Sequence, residues 1–220
     1  MIDTIFVPRG AEERAVRRAL GRVRAPHRVV ATGIGPLAAA LAVGDALAGP
    51  TMGHALVVGL CGLLSPAFAV GETLVYGEMV SAAEATVTVD RAFAHDVARA
   101  LGHAQSGIRA LGVAGVVTSG YEKLELGRRY DAQAVDMESL PLLRLLARAG
   151  VTVAVARVAS DAAGEDLPDL QMALDGSGGL DGFALALAML RRPIAGARLA
   201  RNGTRALAAL EAMVGELVTA

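Results

Sequence analysis

Apolar and polar positions fall into blocks whose period changes along the chain. Nearly continuous apolar runs, many of them β-branched, occupy residues 4–8, 28–32, 55–59, 72–80, 110–119 and 151–159. Runs of this length predict buried strands. Between them the apolar positions return every three or four residues, which predicts helices. These cover residues 11–21, with Val16 and Leu20 on the apolar side, and 36–47, where Pro36 suits a first helical turn. Further helices are expected over residues 91–101, 137–149, 180–191 and 204–218. Residues 84–89 form a short extended stretch able to pair with 72–80. Loops rich in Gly, Pro or Asp are expected at 60–70 and 160–179. Buried strands alternating with helices predict an α/β fold: one domain over residues 1–220, with a central mixed β-sheet flanked by helices. In such sheets, sites form where loops leave the carboxyl ends of strands. Four places qualify: the Gly33-Ile34-Gly35 turn, the loop from residue 60, the region 119–138, and Ser160-Asp161.

Residues 46–71 contain no Asp, Glu, Lys or Arg, a length able to cross a bilayer. Gly49, Pro50, Gly53, Gly59, Gly62 and Pro66 interrupt the stretch, so it is expected to be a buried strand and a tight loop. The N-terminus lacks a basic region followed by an apolar core and a cleavage site, and no signal peptide is expected.

Composition narrows the classes further. Hydrophobic residues make up 54% of the 220-residue chain and charged residues 20%. With so little polar surface, a homodimer or higher homo-oligomer is expected. A net charge of −1 gives no electrostatic case for nucleic acid or an anionic membrane, and the absence of Trp argues against base-stacking platforms. The single cysteine, Cys61, excludes an intrachain disulfide. The four histidines show no metal-ligand spacing, so neither metal nor other cofactor is expected, and a cytoplasmic setting fits.

Two short segments carry candidate chemistry. Ser160-Asp161 follows a strand that must be buried. Desolvation there favours the protonated acid, which suits a general acid, although Ser-Asp is also an ordinary helix cap. Asp136-Met137-Glu138 precedes a leucine-rich helix. If Ser139 opens that helix, Pro141 falls in its first turn, and the three preceding side chains can face a cavity. A carboxylate there suits a sugar diol, and a methionine can lie on a flat ring. Acids at a helix start are equally explained by the helix dipole. Cys61, at an apolar strand end, suits a small core residue better than a nucleophile. Gly33-Ile34-Gly35 is part of a dinucleotide fingerprint, but no strand-end acid follows about twenty residues later.

In combination these pieces resemble the nucleoside phosphorylase and nucleosidase superfamily. The likeness rests on "ATGIGPLAAALAVGDAL", "VVGLCGLLSPAFAVGETLV", "AVDMES" and "ARVASDAAGED", in that order. The resemblance implies a phosphorylase/hydrolase-like fold and a small-molecule nucleoside as partner. It implies that Glu138 binds ribose hydroxyls, that Met137 packs against sugar and base, and that Asp161 protonates the leaving purine with support from Ser160. Gly62 and Cys61 would line the substrate. Arg157 and Asp136 would be supporting charges behind the site. "GAEERAV" resembles the segment whose glutamate activates water; Glu13 fits that register best, Glu12 next.

The chain departs from the family pattern in three places. Phosphorylases usually carry a hydroxyl residue and an arginine where this chain has Leu60 and Val57, which favours water over phosphate, although Arg9 and backbone amides could still hold phosphate. Adenosine-cleaving nucleosidases carry Ser-Gly-Asp followed by an aromatic that stacks on adenine. Here Tyr121 follows Ser119-Gly120, and Lys123 and Leu124 stand near that aromatic's place. The start, "FVPRGAEE", differs from both subgroups. The expected activity is hydrolytic cleavage of the N-glycosidic bond of a purine nucleoside or nucleoside-derived metabolite. The alternatives are a phosphorylase with an atypical phosphate site and a non-catalytic nucleoside-binding homolog.

Overall fold

A computed structural model describes residues 2–22, 27–82, 85–169 and 182–219. Among the described residues, eight strands form a single mixed sheet. β1 (Thr4–Pro8) lies between β2 (Arg28–Thr32) and β3 (His54–Leu63), parallel to both. β4 (Thr73–Val80) is joined by the two-residue β5 (Val87–Thr88), antiparallel. β6 (Gln105–Gly112) runs parallel to β4 and to the three-residue β7 (Ala134–Asp136). β8 (Thr152–Asp161) is parallel to β3 and antiparallel to β4. Because β7 also pairs antiparallel with the end of β3, the strands β3, β8, β4, β6 and β7 close into a ring. Closure leaves the ring strands without free edges, while β2 and β5 remain at the margins.

Helices cover this sheet. The apolar stripe of α1 (Ala11–Leu20) buries Ala15, Val16 and Ala19. α2 is Pro36–Leu47, α3 Arg91–Leu101, and α4 Gly120–Tyr130. α5 (Ser139–Arg148) buries Leu140, Leu142, Leu143 and Leu146. α6 (Gly182–Arg191) leads to the long α7 (Pro193–Thr219), whose Ala206, Leu210, Met213, Val214 and Leu217 recur at helical spacing and are buried. Arg18 of α1 and Arg22, just past its end, both pair with Glu211 of α7 at 2.7 Å.

The predicted strands and helices are present, with instructive differences. The third strand continues to Leu63, so residues expected to form a loop are the strand end that borders the site. The apolar run 110–119 is not one strand: β6 stops at Gly112, and the following residues are irregular. Nothing in the pattern gave β7 or α4. The last helix begins eleven residues earlier than expected, at Pro193. Residues 170–181, in the expected loop and at the start of the expected helix 180–191, lie outside the described residues. No helix among the described residues is long and apolar enough to cross a membrane.

Candidate active site

Asp161 is the last residue of β8. β3 and β8 pair residue for residue until the register shifts between Cys61 and Gly62, and the shift sets Asp161 opposite Gly62. A side chain at position 62 would start 3.0 Å from Asp161 Oδ2, so glycine makes the room in which the carboxylate sits. The Ser160 hydroxyl donates to Asp161 Oδ1 at 2.7 Å and lies 3.1 Å from the carbonyl of Cys61. Burial pushes the Cys61 thiol up to about 12, which makes it inert as a nucleophile.

The Asp136–Ser139 connection adopts the arrangement that frees its side chains. The helix opens at Ser139, and Asp136 Oδ1 accepts the amides of Glu138 (3.1 Å) and Ser139 (2.8 Å). Glu138 is the N-cap, Asp136 holds the amides at the helix start from outside it, and Pro141 costs no helical hydrogen bond because the first four amides of a helix have no partner within it. Glu138 reaches back across the chain: its Oε1 accepts the amide of Gly35, 103 residues away, at 2.8 Å. This contact ties the Gly33–Gly35 turn to the acidic segment.

Between these parts lies Arg157, fully buried on β8. Its Nε and Nη2 donate to Ser139 Oγ at 3.0 and 2.7 Å, and its guanidinium faces Asp136 Oδ2 (3.5 Å) and Glu138 Oε2 (3.8 Å). Burial raises the Glu138 carboxyl above its ordinary value, and the arginine opposes that rise. Gly59 leaves space for this cluster. Its φ of +148° disfavours other residues, and a Cβ there would fall on Arg157 Nη1 and 2.7 Å from Glu12 Oε1.

Glu12 completes the wall. Its Oε1 accepts the Leu60 amide at 2.7 Å. Burial first, then the charges of Glu138 and Asp136, lift its carboxyl to about 7 against the pull of Arg157. An acid poised there can take a proton from water near neutrality. Glu13 points elsewhere, bonding Arg17 at 2.8 Å along the helix surface, so the N-terminal acid at the cavity is Glu12 rather than the expected Glu13.

Lys123 is the group that the sequence did not assign. It comes from α4, is fully buried, and its ammonium donates to Asp161 Oδ2; the carbonyls of Ala162 and Glu165 also accept from it, both at 3.3 Å. The strand-end acid was expected to be partly desolvated; the structure adds a buried cation against it. The Ser119-x-x-Glu122 spacing was a capping-box signal for α4, and Ser119 Oγ accepts the Glu122 amide at 3.4 Å.

The acids and Lys123 open onto one cavity of about 170 Å³. Its lining includes Glu12, Ile34, Leu60, Cys61, Gly62, Lys123, Asp136, Met137, Glu138, Ser160 and Asp161, so the four places singled out from the sequence converge. Glu138 and Asp161 face the same space. Arg157 lies behind the lining, whereas Asp136, expected behind it as well, is part of it. Val57 is buried, and Arg9 is exposed and outside the lining. Among the described residues, no cluster of His, Cys, Asp and Glu could hold a metal.

A single α/β domain built round a strand ring, with carboxylates and a buried cation at the strand ends, places the chain in a definite class. It belongs to the phosphorylase superfamily, whose family model matches residues 4–176. Within that superfamily, the fold is that of the 5′-methylthioadenosine/S-adenosylhomocysteine nucleosidases. The Neisseria meningitidis enzyme, solved with methylthio-immucillin-A, superposes with a TM-score of 0.74 at 16% identity, covering 99% of this chain and 98% of that one. The Streptococcus pneumoniae enzyme, in complex with 8-aminoadenine, gives 0.64 at 15% identity, with 96% and 100% covered. A futalosine hydrolase mutant from Helicobacter pylori gives 0.60 at 18% identity, with 72% and 89% covered. No curated protein matches the sequence.

Proposed function

We propose that this chain is a nucleosidase that hydrolyses the N-glycosidic bond of a purine nucleoside or a nucleoside-derived metabolite. The observation that carries the proposal is the cavity in which Glu12, Glu138 and Asp161 meet, with the Leu60 amide already taken by Glu12. Cleavage of this bond passes through a sugar cation, so the site must protonate the leaving base, hold the ribose and deliver a nucleophile. Asp161 protonates the base as the C1′–N9 electron pair returns to it. Glu138 accepts the ribose hydroxyls, Met137 lies against sugar and base, and Gly62 and Cys61 bring the backbone close to the substrate. Glu12 takes a proton from the water that attacks C1′. Ser160 orients Asp161, while Arg157 and Asp136 hold the acidic segment.

Water is favoured over phosphate on two counts. The backbone amide that an oxyanion would need at the end of β3 is bonded to Glu12, and a carboxylate at that point repels an anion. The structural neighbours, nucleosidases and a futalosine hydrolase, support hydrolysis as well. The test is a panel of purine nucleosides incubated with and without inorganic phosphate and scored for free base and ribose. Base release with free ribose, unaffected by phosphate and lost in Asp161→Asn, is the expected result. Strict dependence on phosphate, with ribose 1-phosphate as product, identifies a phosphorylase; binding without release identifies a non-catalytic homolog.

A further inference from the structure

The nucleosidase chemistry described above does not use the cation at its centre. Lys123 is fully buried, comes from a helix absent from the hydrophobic pattern, and lies against the acid that must supply a proton. All three ammonium protons have acceptors: Asp161 Oδ2 and the carbonyls of Ala162 and Glu165. The same two segments are stitched twice more, by the Gly120 amide donating to Asp166 Oδ1 at 2.9 Å and the Leu167 amide donating to the Thr118 carbonyl at 2.8 Å. Gly120 and Gly164 pack so closely that a Cβ at 120 would lie 2.5 Å from the Gly164 backbone. Lys123 and Leu167 both line the cavity, so this clasp forms part of its wall.

The geometry points to Lys123 as the positioning residue for departure of the base: it fixes Asp161 and supplies the proton that Asp161 passes on. This inference rests on the nucleosidase proposal. Lys123 and Asp161 together are electrically neutral but carry one transferable proton. As the C1′–N9 bond breaks, its electron pair moves into the base. The Lys123 ammonium gives its proton to the Asp161 carboxylate, and Asp161 passes a proton on to a base nitrogen. Lys123 is left as a neutral amine beside a carboxylate. The proton that water gives to Glu12 restores the balance through solvent, so the sum is nucleoside plus water to base plus ribose. A neutral leaving base requires this supply; a leaving group already stable as an anion does not.

That difference supplies the test. Wild type, Lys123→Met and Lys123→Arg are compared on adenosine, inosine and 5′-methylthioadenosine, and on p-nitrophenyl β-D-ribofuranoside, whose leaving group departs without a proton. Lys123→Met is expected to lower kcat for purine release about a hundredfold or more, with a smaller change in KM, and to leave p-nitrophenol release within about threefold of wild type. Lys123→Arg keeps the charge and provides a second folded variant should Lys123→Met fold poorly. A guanidinium holds its proton, so it is expected to restore the ion pair without restoring purine release. Equal losses on both kinds of leaving group, or purine release restored by arginine, would overturn the role in proton supply. A wild-type chain that frees base from no nucleoside overturns the nucleosidase proposal and this inference together.

Discussion

Glu12 and Glu13 are neighbours with different surroundings, and helical geometry explains why. Successive residues point about 100° apart. The buried positions of α1 are Ala15, Val16 and Ala19, and Glu12 precedes them by three, four and seven residues, on the same face. Glu13 lies off that stripe, four residues before Arg17, where the pair bonds at the surface. The apolar register of α1 therefore contained the assignment; the likeness to a family segment, one residue out of phase, hid it. As a base, Glu12 must be ionised, and its carboxyl stands at about 7. Turnover is thus expected to rise as pH increases through about 7 and to fall below it. Glu12→Gln should lower kcat by about a hundredfold or more and remove that acid limb. Glu13→Gln gives up one exposed pair worth about 0.3–0.5 kcal/mol and should leave the profile in place. Measuring kcat/KM against pH for the three proteins checks both statements.

Elements were legible where apolar side chains form their buried faces. α1, α2, α3 and α5 and the strands β1, β4 and β8 all show such a face, and each was expected close to its observed position; β2, whose valines are half-buried, was expected from its β-branched run. α4 does not: the residues it buries are Gly120, Lys123 and Gly127, two without side chains and one charged. No hydrophobic period can report such a helix, and only its cap spells it out. β7 was hidden for another reason. Three residues are too short for a period, and the strand exists because it bridges β6 and the end of β3. The shift between β3 and β8 was equally unreadable, since pairing register belongs to two strands and not to either alone. Its consequence is measurable. In Gly62→Ala the added methyl would begin 3.0 Å from Asp161 Oδ2 and 3.1 Å from Val135 Cγ1, in a place where neither can retreat far. We expect kcat to fall at least about tenfold, corresponding to about 1.4 kcal/mol in the transition state, with a smaller loss of unfolding free energy. Kinetics and denaturant melts on one preparation separate the two effects.

For the whole molecule, the site is a cost as well as a function. Glu12, Asp136, Glu138, Lys123 and Asp161 line one cavity with Arg157 behind them, and removing such groups from water opposes folding unless partners offset it. The offset comes from every layer: Gly35 and Leu60 give amides, Ser139 gives a hydroxyl oxygen, and the clasp at 118–123 and 162–167 gives carbonyls. Glu12 is the member whose cost can be read from outside. Its carboxyl rises from 4.5 to about 7 on folding. Below about 4.5 the acid is protonated in both states, and its contribution to stability is fully present. Between about 4.5 and 7 the unfolded chain releases the proton while the folded chain keeps it, so the unfolding free energy falls as pH rises. Above 7 the loss is complete, and it amounts to at most about 3 kcal/mol. Glu12→Gln keeps an oxygen for the Leu60 amide but has no charge to lose. The variant should therefore gain stability relative to wild type as pH is raised from 4 to 8, with the change concentrated between 4.5 and 7. Thermal or urea unfolding of both proteins across that range measures it. A difference that stays flat with pH would mean that Glu12 is ionised as easily in the folded protein as in water, and that it is not the base this cavity needs.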